Sequence, residues 1–94
     1  MPKYARILGY YVFFWSNEGK PTEPVHVHVG KEVHKNATKI WILSNGATQV
    51  AANTSGIKEK DLRRIQTLLE ENYQDIVAMW ENYFKTEETY IDKQ

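Results

Sequence analysis

The chain's three histidines, His26, His28 and His34, fall within nine residues, and the first two alternate with valines in Val25-His26-Val27-His28-Val29. Side chains alternate along an extended strand, so the valines point one way and the two imidazoles the other, with Cα atoms about 6.7 Å apart. The valines are the natural core face, which predicts that the imidazoles stand together on an open face. Two imidazoles at that spacing can share a metal ion or an anion, or work as acid and base. A metal needs at least one more ligand and an open position. Glu18, Glu32 and His34 are the candidates, and His26, His28 and Glu32 form the set to test. The acid–base reading uses His26 and His28 with Glu18, acting on RNA, with Lys20, Lys31 or Arg6 holding a phosphate. The plainest reading is two histidines that hydrogen-bond to Glu18 or to loop carbonyls.

Composition narrows these options. The 94 residues suit one small domain. There is no cysteine, which removes disulfides, thiolate nucleophiles and Cys-ligated zinc. Twelve Lys and Arg balance twelve Asp and Glu, and zero net charge disfavours a protein that coats phosphate backbones. Trp15 and Trp41 can stack bases, but aromatic residues of a small sheet usually form core. No apolar run approaches the ~20 residues of a membrane span, and Met1-Pro2-Lys3-Tyr4 does not open a secretory leader. The expectation is a cytoplasmic chain without a cofactor, a divalent metal being the alternative.

The elements that must position the histidines differ between the two halves. Residues 1–56 carry a charge balance of +3 and residues 57–94 one of −3. The first half, rich in Val, Ile and aromatics with short turn signals, reads as five strands at about 4–8, 10–16, 25–29, 38–43 and 47–51. The run Tyr10-Tyr11-Val12-Phe13-Phe14-Trp15 is apolar on both faces, so it is covered on both sides or shared with a partner. Asn45-Gly46 is the strongest turn signal. A two-residue type I′ turn there pairs Leu43 with Thr48 and Trp41 with Val50.

The second half is helical. Leu62, Ile65, Leu69, Tyr73, Ile76, Trp80 and Tyr83/Phe84 recur at steps of three and four and make one stripe. Lys58 stands at the N-cap without a side-chain acceptor. A continuous helix over 58–85 spans about 42 Å, against a diameter of roughly 32 Å for a compact domain of this size. The helix therefore breaks, most naturally near Asn72, or overhangs with Trp80, Tyr83 and Phe84 wanting a partner. The fold predicted is α+β: an antiparallel meander of about five strands with a long, broken C-terminal helix packed on one face. Residues 1–85 form the domain and 86–94 a frayed polar tail.

Several blocks together carry a family likeness. Gly9-Tyr10, Phe14-Trp15-Ser16-Asn17-Glu18, Glu23-Pro24-Val25-His26-Val27-His28-Val29, Lys39-Ile40-Trp41-Ile42-Leu43, Leu62-Arg63-Arg64-Ile65 and Ala78-Met79-Trp80-Glu81-Asn82-Tyr83-Phe84 resemble the bacterial domain-of-unknown-function family 4160. The likeness spans about residues 2–85. The family's histidine pair falls on His26 and His28, and its acidic residue on Glu18. The chain departs from the pattern at Val25, where a second proline is usual, and at Lys58, where Ser or Thr usually caps the helix. The resemblance implies a stand-alone bacterial domain, often encoded beside another small protein. That arrangement suggests one member of a toxin–antitoxin-like pair. The leading expectation is an interaction or regulatory domain with a small protein partner or a second copy. A ribonuclease-like hydrolase and a metal-binding domain are the alternatives.

Overall fold

Five strands hydrogen-bond in chain order to form one antiparallel meander: β1 (Lys3–Ile7), β2 (Tyr10–Phe13), β3 (His26–Gly30), β4 (Thr38–Ile42) and β5 (Thr48–Ala52). Two helices follow, α1 (Glu59–Glu71) and α2 (Tyr73–Phe84), and a 3-10 turn at Ile91–Lys93. The computed structural model describes residues 3–15, 23–85 and 87–93. The α+β expectation holds.

The core lies between the sheet and the helices. Val12, Val27, Val29, Ile40 and Ile42 face Ile65 and Leu69 of α1 and Ile76 and Trp80 of α2, all essentially sealed from solvent. The stripe read from helical spacing thus buries against the valine face, as its period requires. The helix breaks at Asn72, whose backbone leaves the helical region at φ −119°, ψ 20°. The Asn72 side-chain amide donates to the Leu68 carbonyl at 2.8 Å, capping the end of α1. The break folds the two helices within a body whose longest extent is 32 Å. No helix among the described residues is long and apolar enough to cross a membrane.

The turns differ from the expectation. Asn45-Gly46 does not form a two-residue turn. Gly46 N–H donates to the Leu43 carbonyl at 2.9 Å and Leu43 N–H to the Ala47 carbonyl at 2.8 Å, closing a three-residue loop. Only Gly46 of the pair has positive φ, at 88°, which is the type I turn followed by a left-handed residue. The register therefore slips by one: Ile42 pairs with Thr48, Trp41 with Gln49 and Ile40 with Val50. Because a one-residue slip exchanges faces, Val50 joins Ile40 and Ile42 rather than Trp41. The two-residue turn lies instead at Leu8-Gly9, with φ of 53° and 84° between the paired Ile7 and Tyr10.

Of the apolar run, Val12, Phe13 and Phe14 are buried within this chain, while Tyr10, Tyr11 and Trp15 are half-buried. On the helix stripe Trp80 is buried and packs on Phe14 and Phe84, while Tyr83 stays exposed. Residues 87–93 of the polar tail make contacts to the sheet. Val25 N–H donates to the Thr89 carbonyl at 2.8 Å, and the Ser44 N–H and hydroxyl donate to the two Asp92 carboxylate oxygens at 3.0 and 2.7 Å. Tyr90 packs on the core beside them.

Candidate functional site

The strand register places the candidate residues. His26 pairs with Trp41 and His28 with Lys39, while Phe13 pairs with His28 from the other side. Directly paired residues project to the same face, so Phe13, His26, His28, Lys39 and Trp41 share the face opposite the helices. Tyr11, two residues before Phe13, and Arg6, which pairs with Tyr11, extend that face to the sheet edge.

The two imidazoles do lie side by side, with ring centroids 5.2 Å apart. They do not stand open. His26 is 4% and His28 7% exposed. The Phe13 ring stacks on His28 at 5.8 Å, and Trp41 and Trp80 close on His26 at 5.5 and 5.2 Å. The closure by Trp80, from α2, was invisible to a strand-alternation argument, which says which side a residue takes and not what reaches round to cover it.

Burial sets the charge state. Loss of solvent pushes His26 down to about 4 from 6.5. Lys39 and His28 push the same way, against the Pro24 carbonyl bond and the Glu23 charge. His28 is also lowered, by burial first, opposed by its bond to the Ala37 carbonyl. Both rings are therefore neutral near pH 7. They can accept a proton or bind a Lewis acid, but neither holds the proton that a general acid must give at neutral pH. Glu23 ion-pairs with Lys39 at the edge of the cluster. Partial burial raises the Glu23 carboxyl, but the Lys39 hydrogen bond and the surrounding charges outweigh it, and the net shift is downward.

The other predicted residues separate. Among the described residues no three histidines or carboxylates form a group that can hold a metal, so Glu32 does not complete a set with His26 and His28. It lies in the exposed turn after β3. His34 is exposed as well, and its Nδ1 accepts from Asn36 N–H at 3.0 Å. Arg6 shares the imidazole face, where its guanidinium lies 4.9 Å over the Tyr11 ring. Lys31 leans on Tyr10, 5.8 Å from its ring, and Tyr10 alternates to the helix side. Glu18 and Lys20 lie outside the described residues. Glu23, Lys39 and Trp41 were missed as site residues. For Lys39 and Trp41 the signal was present, since in an antiparallel meander the alternate residues of the strand after β3 must flank its histidines. A shallow hollow of about 260 Å³ lined by Arg63, Arg64, Thr67 and Leu68 belongs to α1, away from this face.

These features define a small α+β domain with a neutral imidazole pair set into one sheet face. The family described as a domain of unknown function, DUF4160, matches residues 9–81, and the chain belongs to it. No curated protein and no solved structure matches the chain.

Proposed function

We propose that this chain is an interaction domain, one member of a toxin–antitoxin-like pair, that docks a small protein partner on the sheet face opposite its helices. The observation that supports this reading is the make-up of that face. Tyr11 and Trp41 are half-buried, and each lies under a cation: Arg6 at 4.9 Å from the Tyr11 ring and Lys39 at 4.3 Å from the Trp41 ring. Aromatic residues and arginine are the types enriched at the centres of protein interfaces. A ring already held by a cation presents a large contact area and loses little freedom on binding. The balance of +3 in residues 1–56, which supply the whole sheet, favours a partner with an acidic docking surface.

The test is co-expression of the tagged chain with any small protein encoded beside it. A complex is expected whose affinity falls about tenfold or more with Trp41→Ala or Arg6→Glu. Arg63→Glu, on the solvent side of α1, leaves it unchanged. A chain that stays alone, or a complex indifferent to Trp41 and Arg6, overturns the proposal.

A further inference from the structure

A short segment beyond the family-matched region is seated on the domain as a peptide ligand would be. The match covers residues 9–81, and residues 89–92 fold back onto the end of the sheet where β3 begins and β4 ends. Three contacts hold them. Val25 N–H donates to the Thr89 carbonyl at 2.8 Å, while the Val25 carbonyl accepts from Ile42 N–H at 3.0 Å. Tyr90 packs on the core cluster that contains Val25 and Ile42. The Ser44 N–H and hydroxyl both donate to the Asp92 carboxylate, at 3.0 and 2.7 Å.

These are the parts of short-peptide recognition: a main-chain hydrogen bond, a place for one aromatic side chain, and a paired donor for one carboxylate. The receiving side is built from packed elements. Val25 and Ile42 are fully buried, and Ser44 lies two residues past the end of β4. Burial first, then Glu88, Tyr73 and Asp92, raise the Tyr90 hydroxyl above its ordinary 10, which sets Tyr73 beside the slot. The Tyr73 ring in turn lies close over Gly46 of the β4–β5 loop. Charge agrees with this seating. Glu87, Glu88 and Asp92 outweigh Lys93 in the segment, whereas residues 1–56, which supply Val25, Ile42 and Ser44, carry a balance of +3.

We propose that this slot is a docking site for an extended acidic segment of a partner protein, with an aromatic residue two positions before an aspartate, and that the chain's own residues 89–92 fill it until such a segment displaces them. A tethered segment competes at an effective concentration of about a millimolar. A second copy brings the same segment without the advantage of the tether. The occupant that displaces it is therefore a foreign segment with the same anchors and further contacts of its own. The slot lies at the end of the sheet and does not depend on docking across Tyr11 and Trp41.

The test uses the full chain and a fluorescent peptide of residues 87–93, followed by anisotropy. In the native chain the tail fills the slot and the peptide binds weakly. Tyr90→Ala with Asp92→Ala frees the slot, and the affinity rises about tenfold or more. Adding Ser44→Ala lowers it again about tenfold, as expected for a hydrogen bond to a charged group. Replacing the tyrosine or the aspartate of the peptide by alanine abolishes the rise. Tyr90 is half-buried and Asp92 exposed, and Asp92→Ala alone, which keeps the Tyr90 packing, gives a smaller rise of the same sign. No rise in either variant, or binding indifferent to Ser44→Ala, overturns the proposal and leaves the segment as packing alone. A native chain that sediments as a dimer, and becomes a monomer with Asp92→Ala, assigns the slot to a second copy and overturns it as well.

Discussion

The His26 ring packs on Trp80 with centroids 5.2 Å apart and planes at 65°, tying the start of β3 to the last turns of α2. Trp80 continues into Phe84 at 4.3 Å and Phe14 at 5.6 Å. The imidazole is thus one wall of an aromatic cluster that joins the two layers of the fold.

That placement makes stability sensitive to acid. His26 is held at about 4 in the folded chain, against 6.5 for an ordinary histidine. Between those values the unfolded chain binds a proton that the folded chain refuses, so stability is complete above the higher value and is lost as pH falls towards the lower one. The loss is on the order of 3 kcal/mol. His28 shifts in the same direction and adds to it. Urea denaturation across this range should show the fall, and His26→Phe should flatten it. A level profile in the native chain contradicts a sealed ring.

How much of this was legible in the sequence depends on the kind of information each feature needs. Alternation was enough to place His26 and His28 on one face, because the period of a strand is a local property. Comparing helix length with domain size called for a break or an overhang, with the break most natural near Asn72, where it falls. The cover over the imidazoles was not legible, since it depends on Trp80, fifty-four residues further along. The β4–β5 register was lost because Asn45-Gly46 serves two loop lengths equally well, and only the face that Val50 joins decides between them. The tail reads as polar, and its contacts through Asp92 and Thr89 carry no hydrophobic signal, while that of Tyr90 is a single residue outside any periodic stripe.

The Leu8-Gly9 turn carries a correctable strain. Leu8 sits at φ 53° and is 45% exposed. A left-handed backbone costs an L-residue with a Cβ about 1 kcal/mol, and asparagine tolerates it better. Leu8→Asn should therefore raise stability by about 0.5–1 kcal/mol without touching the core. A higher denaturation midpoint with an unchanged slope is the expected result. A lower midpoint would mean that the Leu8 side chain contributes packing that its exposure conceals.

Ser44 is one of the anchors of the tail. Hydrogen bonds from the Ser44 hydroxyl, and then from its backbone N–H, keep the Asp92 carboxyl below its usual range. Asp92→Ala removes the acceptor of both bonds. Amide exchange at Val25, whose N–H donates to the Thr89 carbonyl, should then quicken, while exchange in β4 stays as it was. If Val25 keeps its protection, Tyr90 packing holds the segment without the carboxylate.

Gly46 meets two demands at once, and they can be separated. Its φ of 88° disfavours any side chain, and a Cβ there falls 2.7 Å from Cδ1 of the Tyr73 ring. Contacts under 3.0 Å force something to shift, and Tyr73 is packed at the start of α2 against the core. Gly46→Ala should cost about 1–2 kcal/mol from the backbone alone, with ring displacement adding to it. Replacing Tyr73 by alanine removes the obstacle but also removes packing, so the double-mutant cycle is the discriminating measurement. A favourable coupling, with Gly46→Ala costing less in the Tyr73→Ala background, shows that the turn and the second helix are fitted to each other at this point. If the two costs simply add, the glycine is required for its backbone alone, and the approach of Tyr73 to the β4–β5 loop has no part in holding the helix break against the sheet.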